Sequence, residues 1–214
     1  MPVSEIIFID GPQAVGKDVF IENISAIYPA VAQDKKLVVL RATDFLTEAI
    51  KTNRYYATSE DLTADIVSVF LGHISLLSHA KKLLNTGEAD TILVNRSFAS
   101  FMIYNLEEAY AHNSDTRSVP NYVSTYVQLV KQLFKRSVFV NLIVAGDLLE
   151  RKLDTIMYRI ASRGEDKVVD RAFLTNLITS YDSLDSDFLS AFSSYEKLTS
   201  DNYLYIISKY MMPD

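Results

Sequence analysis

Cysteine and tryptophan are both absent from this chain of 214 residues, and glycine occurs only six times and proline five. Without cysteine there is neither a disulfide nor a thiolate metal site, which is compatible with a reducing compartment. No apolar run approaches the roughly 20 residues needed to cross a bilayer, so no membrane segment is expected. A basic excess is also missing. Lys and Arg total 21 against 27 Asp and Glu, a net charge of −6, so an overall attractive field for nucleic acid is excluded and only a local patch could serve. Repeats, low-complexity tracts and Pro/Gly-rich linkers are lacking too, so one domain over residues 1–214 is expected. The first strand-like run begins almost at the N-terminus, leaving no room for a secretory leader, and the expected location is cytoplasmic. What remains, 49% hydrophobic and 22% charged residues, is the composition of an ordinary globular protein. Its 13 Tyr and 11 Phe supply the large rings for packing.

The most informative stretch is Ile6-Ile7-Phe8-Ile9-Asp10-Gly11-Pro12-Gln13-Ala14-Val15-Gly16-Lys17-Asp18. An apolar run leads into glycine, four residues, a second glycine and a lysine, and a helical pattern follows. This is the arrangement of a P-loop: a buried strand entering a backbone nest at a helix N-terminus. The residues Gly11 to Lys17 would present N–H groups to an anion, the helix dipole would add partial positive charge, and Lys17 would add a full one. A nucleoside triphosphate, ATP, is the expected ligand, with Gly11, Pro12, Gln13, Ala14, Val15, Gly16, Lys17 and Asp18 around its phosphates. Ser or Thr usually follows the lysine and binds magnesium; here Asp18 stands in that place.

Short apolar runs alternate with helical periodicity along the rest of the chain. Strands are expected over Val3–Asp10, Lys36–Arg41, Thr91–Val94, Ser137–Val144 and Tyr203–Ile207. Helices are expected over Lys17–Tyr28, Glu60–Leu84, Phe98–His112, Pro120–Lys135 and Asp147–Ser162, with Asp170–Lys197 mostly helical. Asp44 reads as the N-cap of a short helix reaching about Lys51. The break at Gly164-Glu165-Asp166-Lys167 reads as a mobile lid, about residues 159–170. Strands separated by helices imply an α/β fold: a three-layer sandwich with a central parallel five-stranded sheet and a helical lid. Ligands of such sheets lie beyond the C-terminal ends of the strands, where the nest, Asp44 and Asn95-Arg96 all fall.

Four segments in this order resemble the thymidylate kinase and deoxynucleoside kinase group of P-loop nucleotide kinases. They are Phe8–Lys17, Arg41-Ala42-Thr43-Asp44-Phe45, Asn95-Arg96-Ser97 with its downstream Ser100 and Tyr104, and Arg159-Ile160-Ala161-Ser162-Arg163. The resemblance implies ATP-dependent phosphoryl transfer with magnesium to a small nucleotide or nucleoside acceptor, and dimerisation through the long helices. It implies catalytic roles for Lys17, Asp44, Arg96, Arg159 and Arg163, the last two sharing a helix face at a spacing of four. On the acceptor side it points to Asp10, Gln13, Arg41, Asp44, Phe70, His73, Arg96, Ser100 and Tyr104. Tyr55, Phe70, Phe101 and Tyr104 are candidate walls for a base, although core packing is the simpler role for each.

Departures from the family pattern matter as much. The family has an acid where Asn95 stands and a hydroxyl where Asp18 stands, so one negative charge has moved from the third strand to the nest, with Asp18 as candidate metal ligand. The alternative for Asp18 is a first-turn acid stabilised by the helix dipole. Around Phe70-Leu71-Gly72-His73 the arginine that grips the acceptor phosphate in the family is missing, and His73 is the sole local substitute. The leading expectation is a pyrimidine monophosphate acceptor. A hydroxyl acceptor is the alternative, on a deoxynucleoside or on hydroxymethyluracil in DNA as in phage base-modifying kinases. A third reading is a nucleotide-binding protein without turnover.

Overall fold

All five residues of Ile6–Asp10 are buried because this strand, β1, lies in the middle of a sheet covered on both faces. The computed structural model describes residues 5–46, 59–111, 116–146, 148–163 and 170–212. Within them, β1 is joined by β2 (Leu37–Arg41), β3 (Thr91–Asn95), β4 (Ser137–Leu142) and β5 (Ser194–Leu198) in the order β2-β3-β1-β4-β5. Every pairing is parallel. The register sets Ile9 and Arg41 opposite Asn95, and Asp10 opposite Asn141, so the C-terminal strand ends come level.

Alternation along β1 sorts the core into two layers. Ile7 and Ile9 pack with α1 (Lys17–Val31), α5 (Leu149–Ala161) and α6 (Arg171–Asp182). Ile6 and Phe8 face α2 (Ser59–Asn85), α4 (Val119–Leu133) and α7 (Ser186–Leu189). Between them α3 (Phe98–Ala111) sends Ile103 to the first layer and Phe98 and Ala99 to the second. Residues 47–58, 112–115 and 164–169 lie outside the described set, and with them the expected helix through Lys51, Tyr55 and the centre of the expected lid.

Three expectations are corrected. Tyr203–Ile207 is not the fifth strand: Tyr203–Ile206 is helical (α8), and a π-helical turn, Ile207–Met211, follows it. Ile206, Ile207 and Met211 bury against the α1 side of the sheet. The fifth strand is Ser194–Leu198, within the stretch expected to be helical. A short apolar run does not by itself distinguish a buried helical turn from a strand. A strand at the sheet edge needs no apolar run. Asp44 is likewise not an N-cap; it lies inside a 3-10 turn, Ala42–Phe45, whose N-cap position is Arg41.

Glycine is needed at two close approaches. A Cβ on Gly11, where φ is +136°, would lie 2.4 Å from the carbonyl oxygen of Leu142 in β4. Gly11→Ala therefore combines a strained backbone with a clash against a strand. A loss of at least about 2 kcal/mol in urea unfolding is expected, and an unchanged midpoint would contradict the packing. A Cβ on Gly72 would lie 2.7 Å from the carbonyl oxygen of Phe45, so Gly72 lets α2 press against the turn that carries Asp44.

Candidate active site

Lys17 begins α1, and its side chain is only 6% exposed. The chain reaches it through three residues with positive φ, Gly11, Ala14 and Gly16, a sequence of turns that curls backbone amides into a nest. The Lys17 ammonium donates to the carbonyls of Gly11 and Pro12, both at 2.7 Å. Burial pulls its pKa down to about 7, with Arg96 and Arg163 acting in the same direction and Asp10 and Asp18 against it. An anion in the nest favours the charged form, so protonation of Lys17 and phosphate binding reinforce each other.

Arg159, near the end of α5, donates to the carbonyls of Ala14 (3.3 Å) and Val15 (3.2 Å) of the same loop. Asp154, on the same helix, is bonded to Arg171, which also binds Glu150. Arg163 is not on the helix face of Arg159. The helix ends at Ala161 and Arg163 lies in the turn beyond it, close enough for its charge to be felt at Lys17.

Asp10 closes β1 as a fully buried carboxylate. Its donors are the amides of Gly11 (2.8 Å), Ser97 (2.8 Å) and Ser100 (3.3 Å), and the hydroxyls of Ser97 (2.5 Å), Tyr181 (2.8 Å) and Ser100. A buried charge persists only when so satisfied. Asn141 of β4 donates to the Tyr181 carbonyl at 2.8 Å and so fixes the start of that contact. Asp10 thus ties together the nest, the first turn of α3 and the end of α6. Asp10 and Ser100 were expected on the acceptor side; their polar atoms serve this structural hub.

Arg96 follows β3 with a left-handed backbone, φ 72°, an uncommon conformation for a side chain of this size and one that clusters at functional sites. Its guanidinium lies over the Tyr104 ring, 5.8 Å from the centroid. Beside it, Asn95 Nδ2 donates to Asp18 Oδ1 at 2.7 Å, joining β3 to the first turn of α1. Arg41 and Asp44 stand exposed at and just after the end of β2. Gln13 is half-buried in the nest.

Phe70 and His73 belong to the packing of α2. Phe70 contacts the rings of Phe98 (5.8 Å) and Tyr122 (5.0 Å). His73 is 1% exposed among Phe98, Phe101 and Tyr126. Its Nδ1 is 2.9 Å from the Val69 carbonyl, and burial lowers its pKa to about 4. A neutral ring of this kind has no charge to offer a phosphate.

The burial of His73 carries a pH signature. Between pH 6.5 and 4 the unfolded chain protonates this imidazole and the folded one does not, so stability falls as pH drops through that window. The contribution is up to about 3 kcal/mol. His73→Phe is expected to lose correspondingly less stability than the wild type between pH 7 and 4.5 in urea titrations. Equal losses would show that the ring is not held neutral.

A solved deoxyadenosine kinase from M. mycoides with bound dATP superposes on this structure with a TM-score of 0.53, covering 95% of this chain and 97% of that one at 17% identity. The chain shares its fold with a deoxynucleoside kinase. No protein-family model and no curated protein matches the sequence. The likeness is therefore one of architecture, a five-stranded parallel sheet between helices.

Against that kinase fold, two participants stand out that the sequence did not reveal. Tyr181 reaches Asp10 across 171 residues of chain, a separation that carries no local signal. Ser200, after β5, would lie 3.0 Å from a Cβ on Gly16 and so buttresses the nest from the far edge of the sheet. Ser97 follows directly on Arg96 and was findable from its place after a strand end.

Proposed function

We propose that the protein transfers the terminal phosphoryl group of ATP to a hydroxyl of a small deoxynucleoside-type acceptor. The observation that carries this reading is the placement, at the C-terminal ends of the strands of one sheet, of a nest with a buried lysine after β1 and an exposed carboxylate after β2, with β3 between them. Lys17 and the nest amides hold the β- and γ-phosphates, and Arg159 and Arg163 offset the charge that spreads over the transferring group. Asp44 takes the proton of the acceptor hydroxyl as its oxygen bonds to the γ-phosphorus. The bond from that phosphorus to the bridging oxygen breaks, and ADP leaves. Arg96 and Tyr104 border the acceptor.

The nest residues fit a magnesium ion. Asp18 offers a hard anionic oxygen beside the phosphate cradle, and Asn95 offers a neutral one. Bound there, the metal would neutralise phosphate charge.

A hydroxyl acceptor is favoured over a monophosphate because His73 is buried and neutral and Arg96 is engaged with an aromatic ring. The shared fold with a deoxyadenosine kinase adds support. A net charge of −6 argues against a hydroxyl carried on DNA. Exposed Arg41 keeps a monophosphate as the second reading, since a phosphate dianion needs such a donor. Labelled ATP offered with deoxynucleosides, their monophosphates and hydroxymethyluracil-containing DNA tests the assignment. A deoxynucleoside should be the best acceptor; preference for a monophosphate or for DNA would overturn that acceptor class.

A further inference from the structure

We infer that Asn95 is a positioning residue for the metal that accompanies ATP, and that Asp18 and Asn95 together replace a carboxylate at the end of β3. This inference rests on the kinase reading above.

The hydrogen bond between them has only one sensible polarity. An ionised carboxylate accepts and never donates, so the amide must turn Nδ2 toward Asp18, which points Oδ1 the other way. That Oδ1 is buried and, among the described residues, has no hydrogen-bond partner. An orphaned acceptor of this kind is costly unless a donor reaches it, and a metal-bound water is such a donor.

Asp18 itself is exposed, and the bond to Asn95 uses only Oδ1, so Oδ2 remains to face a cation. Lys17 does not compete for the carboxylate, because its ammonium is held by the carbonyls of Gly11 and Pro12. The two partners also come from the two elements that border the phosphates. Asn95 is fixed in the sheet opposite both Ile9 and Arg41, whereas Asp18 rides on the helix that opens from the nest. A side-chain amide anchored in a strand thereby sets the direction of a carboxylate on a helix. A helix-dipole role for Asp18 would require neither the anchor nor the orphaned oxygen. Magnesium suits the pair, since it is commonly held by one carboxylate, substrate phosphates and waters rather than by a full protein cage.

The test measures ATP affinity in EDTA and in Mg²⁺, and Mn²⁺ binding to the ATP complex by electron paramagnetic resonance. In the wild type, metal should tighten ATP. Asp18→Asn should still bind ATP in EDTA and should lose at least about tenfold in Mn²⁺ affinity of the complex. Asn95→Ala, which keeps the carboxylate and removes its guide, should lose about tenfold as well. The double variant Asp18→Ser with Asn95→Asp should regain the metal effect that either change alone weakens. Unchanged Mn²⁺ affinity in Asp18→Asn or Asn95→Ala, in proteins that still bind ATP, would overturn this inference and leave the kinase reading standing. A wild type that binds no ATP at all would overturn both.

Discussion

Lys17→Ala is expected to remain folded and to lose phosphoryl transfer by about 10²–10³-fold or more. In the proposed reaction this buried side chain supplies a positive charge to the phosphates as negative charge shifts during transfer. Arg159 and Arg163 add charge in the proposed reaction but do not occupy the buried position of Lys17, since Arg159 is bonded to the carbonyls of Ala14 and Val15 and Arg163 lies beyond the end of α5. The same burial predicts a stability effect of the opposite sign. Below about pH 7 the folded protein carries a desolvated ammonium that the unfolded chain keeps in water. Lys17→Met, which keeps most of the volume and drops the charge, should match or exceed the wild type in urea stability while remaining inactive. Near-normal turnover in either folded variant would remove the nest from the mechanism.

Asp44→Asn is the acceptor-side change expected to do most damage, a loss of about 10²–10⁴ in kcat if it removes the general base. The amide keeps the size of the side chain and the exposed 3-10 turn that carries it, so ATP affinity in the absence of acceptor should be retained. The effect should fall on kcat, with a smaller change in the acceptor KM. Arg41→Ala supplies the contrast. For a hydroxyl acceptor it should matter little, whereas for a monophosphate it should raise the acceptor KM strongly. Full activity of Asp44→Asn with a deoxynucleoside would remove the base from the proposal. A large effect of Arg41→Ala together with a small one of Asp44→Asn would move the acceptor to the monophosphate class.

The reach of the sequence can be seen in particular residues. The nest was legible because its determinants are contiguous: an apolar strand, glycines at fixed offsets and a lysine that opens a helix all lie between Ile6 and Lys17. The inner strands β1, β3 and β4 were legible for a similar reason, since apolar residues run consecutively where a strand is covered on both faces. The edge strand β2 was legible because Leu37–Leu40 is an apolar run, although only Leu40 is buried. The fifth was not. Ser194–Leu198 sits at an edge, pairs on one side only and can keep Glu196 and Lys197, so the pattern that marks an inner strand is absent from it. Tyr203–Ile207 looked like a strand because it is apolar, and it is apolar because a helical end of the chain packs there beneath the sheet.

Local pattern thus determined the alternation of strands and helices, the phosphate nest and the strand ends at which a site would gather. Tertiary structure alone decided how the polar side chains at those ends are used. Asp10 is enclosed by donors from the nest, α3 and α6, so it serves as a hub. His73 is surrounded by rings and held neutral. Asn95 and Asp18, 77 residues apart, meet at 2.7 Å, a contact that neither position announces by itself. Periodicity is a property of neighbours along the chain and can be read there. Hydrogen-bond satisfaction and desolvation depend on neighbours in space, and these are fixed only when β1, β3 and β4 come into register.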